Sequence, residues 1–481
     1  MIQRTYPIVP GEIGVVDTSW PLGWVPRYGA SAALKDNSAA FNNCVKSLVA
    51  LGGGDMLVPC AESGAAYRFI HAFHMRSGVH LKGVGGRPVL SSEVRYGQQV
   101  ANVPSRLMMM GSVAPWNIYR FNRDACADAA SGDTAVTRTT RTQDFAVGDT
   151  VVVFSADYTN SNPAFVAPQG KVFSALPLWM RFNQVTSVDD VVIGLKYPID
   201  QDVVNPRIAN NNTLGVVDHY GDPCYICTDA CVQGLDIRMD GGNWLGETAT
   251  LDCVFCDLDT HGNVAAWNGI QRTEIAHIRS TVTVAGIELG MCPYKVDCHD
   301  IRMAVSITEG SLGNFRPYGF LTCVENPKEV FFNNIDLDMS GYGYPDLFFS
   351  NIGVVYLACM VDCGLDGLRV RFGNSPITRP AVMLVGGTAN LAGQGGGGSV
   401  GSPGLTGCNF NNIQISGNSA LLCGWDCATG VPSDNRVITG NTFSNILIDL
   451  PNLIGIPFGV AGRDNIYNNV RCSQWDFPVY G

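Results

Sequence analysis

Carboxyl side chains recur within one stretch of the chain, at Asp240, Glu247, Asp259 and Glu274, with Arg238 and His261 among them. Two carboxyl groups a few ångströms apart can split a glycosidic bond. One gives a proton to the leaving oxygen, and the other attacks the sugar or activates water. The gap is about 5–5.5 Å when configuration is retained and about 6.5–9.5 Å when it is inverted. Asp240 with Asp259 is the pair expected here, with Glu247 or Glu274 as the replacement if the register slips, and Arg238 and His261 beside them. An eliminase needs other parts: a base that removes the proton next to a uronate carboxylate, and a cation that holds the charge left behind. His261, His277, Lys295, Arg302 and Arg316 supply such groups. Trp244, Trp267, Tyr342 and Tyr344 can lay an aromatic face on the apolar face of a sugar ring. Read without function, the same residues are ordinary. Asp259 would pair with Arg238 and Asp257 with Arg279 in a solvated charge ladder, and either Trp would fill a core.

Those groups meet only if distant segments stack, and the chain carries a pattern that stacks them. Over residues 235–472 a short alternation returns: Leu235-Asp236-Ile237, Cys256-Asp257-Leu258, Ile278-Arg279-Ser280, Ile301-Arg302-Met303, Ile335-Asp336-Leu337, Leu368-Arg369-Val370, Ile413-Gln414-Ile415, Ile446-Leu447-Ile448 and Val470-Arg471-Cys472. The early steps are roughly twenty-two residues and the later ones roughly thirty-three or forty-five, starting near the low end of solenoid repeats. Period-two alternation buries one face and wets the other. A unit this short can bury its dry face only against its neighbours. Gly241-Gly242, Gly262-Asn263, Asn333-Asn334 and Asn411-Asn412 supply tight corners. The pattern predicts an all-β fold, a right-handed parallel β-helix; an antiparallel sandwich with accidental spacing is the alternative. In such a coil, wet positions align in columns about 4.8 Å apart. One column is expected to hold Arg238, Asp259, Thr281, Ala304, Asp338 and Arg371. The next holds Asp240, His261, Thr283, Ser306 and Ser340, which would gather Asp240, Asp259 and His261.

Length and composition agree with a solenoid. The chain has 481 residues, 46% of them hydrophobic and only 15% charged, with 55 Gly and 25 Pro; few charges and many turn formers suit a corner-rich β protein. A formal net charge of −11 argues against a nucleic-acid backbone as partner. It leaves an acidic polysaccharide open, because a local patch can differ from the sum. No run of about eighteen apolar residues occurs, so no membrane span is expected. Met1-Ile2-Gln3-Arg4 lacks the apolar region of a signal peptide. The 17 cysteines, odd in number, read as stacked and reduced core thiols, with Cys231 and Cys253 one rung apart, rather than as a disulfide framework. Cys224-x-x-Cys227 and Cys253-x-x-Cys256 imitate zinc-ligand spacing. Residues three apart on a strand point to opposite faces, however, so no metal is expected there. No glycine-rich loop opens a helix after a strand, which disfavours nucleotide chemistry, and no cofactor is expected.

Four segments follow. Residues 1–54 hold an extended arm, broken by Pro7, Pro10, Pro21 and Pro26, and then a helix over 38–51. Phe41, Cys44, Val45, Leu48 and Val49 make its buried face. Asn37 or Ser38 caps its start and Gly52-Gly53-Gly54 ends it. The helix is expected to cover the open end of the coil. Residues 55–103 begin the coil. Residues 104–210 interrupt it with a small β subdomain, whose strands include Val151-Val152-Val153-Phe154 and Val191-Val192-Ile193-Gly194-Leu195; the loop with Trp179 and Arg181 is expected to overhang a groove. Residues 211–481 return to the coil, with a glycine-rich surface loop over 386–404 and closure by Trp475 and Phe477 or by a neighbouring subunit.

The start of the chain carries a resemblance. Arg27-Tyr28-Gly29-Ala30, Asp36-Asn37-Ser38-Ala39-Ala40-Phe41, Gly52-Gly53-Gly54-Asp55-Met56-Leu57-Val58-Pro59, Tyr67-Arg68-Phe69 and Gly78-Val79-His80-Leu81-Lys82-Gly83-Val84-Gly85-Gly86 resemble the N-terminal signature of the pectin-lyase-like superfamily. Its members include pectate-lyase-like enzymes, polygalacturonase-related hydrolases, alginate epimerases and phage tailspike depolymerases. The match is close up to Gly86 and by pattern alone along the ladder. It departs at Lys35-Asp36-Asn37-Ser38, where many relatives have a paired Asp before Thr, and at Cys60-Ala61, where Ala-Gly is usual. Both are positions of the fold, not of the chemistry. The polygalacturonase motifs are absent, Thr260-His261-Gly262 being a partial echo, and Tyr220-Gly221-Asp222-Pro223 lacks the Phe and final His of the epimerase motif. The resemblance implies a β-helix that cleaves polysaccharide on its flank, by hydrolysis first and elimination second. A tailspike-like depolymerase of a bacterial surface or extracellular glycan would be a homotrimer, on a virion tail or outside the cell. A carbohydrate-binding adhesin without turnover and a purely structural solenoid are the rival expectations.

Overall fold

The apolar–polar–apolar triplets stack in parallel. Ile301 pairs with Ile335 and Ile335 with Leu368, Val370 with Ile415, Ile413 with Ile446 and Ile446 with Val470. The computed structural model describes residues 5–70, 73–92, 108–110, 124–155, 179–210, 227–239, 249–253, 270–282, 285–289, 292–307, 320–323, 326–345, 353–385, 404–419, 421, 425–428, 438–454, 458–459 and 464–473. One long parallel path runs through Gly54–Pro59, Val79–Val84, Cys231–Gln233, Ile270–Ala276, Tyr294–Ile307, Lys328–Tyr342, Gly364–Arg371, Asn409–Ser416, Thr442–Asp449 and Ile466–Cys472. A second parallel sheet of nine strands runs from Phe73–Met75 to Phe458–Gly459, and the chain visits the two sheets in turn. That alternation is a parallel β-helix. Each coil lends its dry side to one interior, where Ile237, Ile278, Ile301, Ile335, Leu368, Ile413 and Ile446 are buried. Rings stack there too. The centroids of Phe410, Phe443 and Tyr467 lie 5.0 and 5.3 Å apart, with nearly parallel planes.

Long strands stay in register because each bends at the same place. The backbone turns left-handed at Gly234, His277, Asp300, Asn334, Gly367, Asn412, Asn445 and Asn469, all with φ between 53° and 73°. The flanking pairs, such as His299 with Asn333 and Ile301 with Ile335, stack these residues into one column. A left-handed residue with a Cβ is strained, least so for Asn, Asp and His, whose polar side chains find local partners. Here they find them on the preceding coil. Nδ2 of Asn334 donates to Asp300 at 2.6 Å, Nδ2 of Asn412 to Asp366 at 2.8 Å, and Nδ2 of Asn469 to Asn445 at 2.9 Å. A second left-handed column, Asp229, Arg272, Lys295, Glu329, Asp362, Gly407, Gly440 and Asp464, turns the corner before the same strands.

Several expectations change at this level. Asp236, Ile237 and Arg238 pair directly with Arg279, Ser280 and Thr281. No rung stands between these two, and Cys256-Asp257-Leu258 and Asp259 lie outside the described residues. The intervening chain instead crosses to the other sheet at Ala249–Cys253 and returns at Ile270–Ala276. The rest of that column, Thr281, Ala304, Asp338 and Arg371, is as expected. In the next column a bulge past Ala304 sets Ser306 against Gly341 rather than Ser340. Cys231 and Cys253 lie in different sheets; the adjacent-coil thiols are those of Cys363 and Cys408, both buried.

The segment Asp124–Asn210 contributes a separate six-stranded antiparallel sheet. Trp179 and Arg181, expected on an overhanging loop, are instead buried and anchor this sheet. Asp200 accepts hydrogen bonds from Trp179 Nε1 at 2.8 Å, Arg181 Nη2 at 2.8 Å and Lys328 Nζ at 2.9 Å. Burial works against the Asp200 charge, but the Arg181 guanidinium and these donors hold its carboxyl far below the usual range. Arg181 also lies 3.8 Å from the Tyr294 ring centroid. From the coil side, buried Gln271 receives the Phe182 amide at 2.9 Å and donates to the Met180 carbonyl at 3.0 Å. At the chain start the helix Ser38–Ala50 packs Phe41 against Phe69 and Phe73, at centroid distances of 4.9 and 5.0 Å. The arm before it is fastened by Arg27, whose guanidinium reaches Glu12, the Trp20 carbonyl and the Pro7 carbonyl at 2.6–2.8 Å.

Two predictions follow from these anchors. Asn412→Val puts a β-branched residue at φ 53° and removes its amide bond to Asp366; it should lower unfolding free energy by about 1–2 kcal/mol, while Asn412→Gly stays within a few tenths. The Arg27–Glu12 pair is 0% and 1% exposed. Glu12→Gln leaves a buried guanidinium uncompensated and should cost about 3–5 kcal/mol in denaturant titration. The Arg27 hydrogen bond lowers the Glu12 carboxyl from 4.5 to about 2. The stability it adds is therefore whole above pH 4.5 and lost as pH falls toward 2, and the variant should lack this acid-dependent loss.

Candidate functional site

Outward positions on the strands before the left-handed corner line up across coils. Asp55, His80, Cys231, Glu274, Asp297 and Phe331 form one column. Lys82, Gln233, Ala276, His299 and Asn333 form the next. His277 and Asp300 then follow at the corner itself, on adjacent coils. The flank thus collects Glu274, Asp297, His299, Asp300 and His277, residues that are partly or well exposed.

His299 is the hub. Its Nε2 donates to Oε1 of Glu274 at 3.1 Å and its Nδ1 to Oδ2 of Asp300 at 3.0 Å. Both partners are acceptors, so the geometry favours the imidazolium with a proton on each nitrogen. Burial pulls the His299 pKa down, but the Asp300 and Glu274 contacts outweigh it and the net shift is upward. Glu274 is held below its ordinary value chiefly by the His299 bond, against burial. Asp300 is lowered first by the Asn334 amide and then by His299. The second oxygen of Glu274 accepts from the Cys231 thiol at 3.3 Å. Burial, and then Glu274, push that thiol up to about 12. Cys231 is therefore a hydrogen-bond donor and not a thiolate nucleophile. His277 Nδ1 lies 3.3 Å from Oδ2 of Asp300.

Of the residues singled out in the sequence, Glu274 and His277 fall in this cluster. Asp240, Glu247, Asp259, His261, Trp244, Trp267 and Arg316 lie outside the described residues. Arg238 is exposed on the far side of the corner, 3.3 Å from Asp236. Arg279 and Arg302 sit on that same far face, on adjacent coils and exposed. Lys295 turns the preceding corner, 3.8 Å from Glu329. Tyr342 and Tyr344, expected as sugar platforms, are instead buried, with Tyr342 packed edge-on against Phe320 at 5.6 Å, so neither offers a ring to a sugar. A phenol at the end of an alternating strand fills the coil interior when its position points inward. His299, Asp300 and Asp297 were missed. The signal was present, because aligning Ile278 with Ile301 and stepping back sets His277 against Asp300.

Fold and flank together define a parallel β-helix protein with an ionisable, solvent-open face. Among solved structures the chain is similar to the tailspike of Pseudomonas phage phi297, at 10% identity over 90% of this chain and 80% of that one, with a TM-score of 0.30. It is similar to PfbA, a surface adhesin of Streptococcus pneumoniae, at 11% identity over 93% and 77% with a TM-score of 0.36. It is similar to a hyperthermoactive exopolygalacturonase from Thermotoga maritima at 9% identity over 97% and 93% with a TM-score of 0.30. Those scores are too low to lend a function to this chain. No protein-family model matches it, and no curated protein matches it in sequence. Among the described residues no helix is long and apolar enough to cross a membrane.

The charge arrangement makes a measurable prediction. In chelator-treated protein, the His299 ring should titrate above its ordinary 6.5 by NMR, and His299 should move lower in Glu274→Gln. Stability from the raised His299 is whole below pH 6.5 and lost as pH rises through its folded value. Stability from the lowered Glu274 is whole above 4.5 and lost as pH falls through its folded value. The cluster should thus stabilise most between pH 4.5 and 6.5, a maximum that His299→Ala removes.

Proposed function

We propose that this chain is a polysaccharide-cleaving enzyme, a glycoside hydrolase that works on the flank before the left-handed corner. The observation that carries the reading is the pair Glu274 and Asp297, outward carboxylates at the same position of adjacent coils. Coils stand about 4.8 Å apart, close to the roughly 5–5.5 Å gap of retaining glycosidases. Glu274, kept ionised by His299, is the nucleophile. Asp297 gives its proton to the leaving glycosidic oxygen, and water later releases the sugar from Glu274 and restores the Asp297 proton. An outward, solvent-open column suits a long substrate better than a small one, because chain sugars can lie along successive coils. The N-terminal resemblance to pectin-lyase-like proteins supports the same substrate class. A bacterial surface or extracellular glycan, a tailspike-like homotrimer and an extracellular or virion setting belong to this reading.

One observation favours elimination as the second reading. Exposed Arg279 and Arg302 on adjacent coils, just past the corner, are placed to hold uronate carboxylates. Non-catalytic glycan binding is the third outcome of the test. On a panel of bacterial and plant polysaccharides, hydrolysis gives new reducing ends without ultraviolet-absorbing unsaturated uronates, and elimination gives the unsaturated product. Glu274→Gln and Asp297→Asn should each lower turnover about 100-fold or more with circular dichroism unchanged. Full turnover in both, with loss instead in Asp240→Asn or Asp259→Asn, would put the site elsewhere on the chain. Binding without any product would overturn the enzyme reading.

A further inference from the structure

The corner cluster holds more than an ion pair needs. Nδ1 of His299 and Nδ1 of His277 approach the same atom, Oδ2 of Asp300, at 3.0 and 3.3 Å. All three ligand atoms lie within 4.8 Å of one another. The two rings meet edge to face, 5.1 Å apart and 88° between planes, so ring stacking is not what brings the nitrogens together. Zinc bonds to nitrogen and oxygen are about 2.0–2.2 Å, and neighbouring corners of a tetrahedron of that size stand about 3.3–3.5 Å apart. The two edges to Asp300 need to open by only a few tenths of an ångström to accept an ion.

The surroundings match what a bound metal requires of the residues behind its ligands. A ligating imidazole normally gives its other nitrogen to a carboxylate, and a ligating carboxylate is itself hydrogen-bonded. Here the far nitrogen of His299 is held by Glu274 at 3.1 Å, and the far oxygen of Asp300 accepts from Asn334 at 2.6 Å. The backbone adds placement. His277 and Asp300 occupy the left-handed corner of adjacent coils, with φ of 56° and 55°, so the rung spacing sets their separation. Two imidazoles and one carboxylate suit a borderline transition dication, whereas calcium and magnesium prefer all-oxygen sets. His277, His299 and Asp300 side chains are 49%, 24% and 41% exposed, which leaves one coordination position open to solvent.

We propose that His277, His299 and Asp300 bind one zinc-type divalent cation, with Glu274 and Asn334 orienting the ligands and water or a sugar hydroxyl in the open position. The ion replaces the proton on Nδ1 of His299. This goes beyond the cleavage reading and stands whether or not the chain cuts a glycan.

The test is Zn2+ binding to the full chain after chelation, by competition with a chromophoric chelator. Co2+ serves as the spectroscopic probe. Near one equivalent of Zn2+ should bind at this site, with a visible tetrahedral Co2+ spectrum, and excess Ca2+ should not displace it. His277→Ala and His299→Ala should each weaken that equivalent at least 100-fold and abolish the Co2+ spectrum. Glu274→Gln should weaken it about 10–100-fold. His277 is half exposed, so its variant is expected to keep the near-ultraviolet circular dichroism of the parent, which is checked alongside. Affinity and stoichiometry unchanged in both histidine variants would overturn the proposal, as would the absence of stoichiometric uptake or displacement by Ca2+. Glycan turnover is not read in this experiment, so failure here and failure of the hydrolase reading are separate results.

Discussion

The chain must enter the left-handed backbone region at the same place in coil after coil. That requirement lets one strand bend into the next without breaking the ladder of hydrogen bonds to the coil above and below. Asn334, Gly367, Asn412, Asn445 and Asn469 meet it with residues that tolerate positive φ. Once the corner is fixed, every position before and after it is fixed relative to the neighbouring coil. The interior column of Ile301, Ile335 and Leu368 and the wet column of Ala304, Asp338 and Arg371 are both consequences of it. Extra residues between coils are accommodated elsewhere, which is why unequal loop lengths do not disturb the stack.

The same constraint accounts for the ionisable cluster. A left-handed corner selects a short list of side chains, and His and Asp are on it along with Asn and Gly. At two successive coils the amides of the ladder give way to His277 and Asp300. Their neighbours one position back, Ala276 and His299, complete the change. A structural column thereby becomes a place where charge, hydrogen bonding and ligand geometry converge, with no loop needed to build it. Attachments to the coil are held differently, by buried charges that cannot be left single: Glu12 with Arg27 for the arm, Asp200 with Arg181 and Lys328 for the inserted sheet.

Much of this is legible in residue order alone. The triplets at Ile278, Ile301, Ile335, Leu368, Ile413, Ile446 and Val470 are rungs, because strict alternation with a polar corner has few other uses. Asn333-Asn334 and Asn411-Asn412 are corners for the reason their residue types suggest. Cys256-Asp257-Leu258 obeys the same local pattern, yet Asp236 pairs directly with Arg279, so three residues of alternation do not by themselves set the order of the ladder. Tyr342 shows the converse error. Strict alternation from Leu337 and Met339 turns Tyr342 outward, but the bulge that sets Ser306 on Gly341 shifts the alternation by one and buries Tyr342 against Phe320. The cluster at His299 is half visible in the sequence: Glu274 and His277 stand out as separate candidates, and only the pairing of Ala276 with His299 joins them.

Period-two alternation states which face of a strand is dry, and corner residues state where a strand bends. Both are local properties, so residue order alone determined the all-β class, the stacked architecture and the parity of its strands. It did not determine which coil lies next to which. An apolar triplet fits above any other, and the choice depends on how the chain between them closes, through hydrogen bonds and crossings that no single segment encodes. That choice set Asp236 on Arg279 and brought Glu274, His299 and Asp300 within hydrogen-bond reach. A site made of side chains from neighbouring coils exists only once the stacking order does.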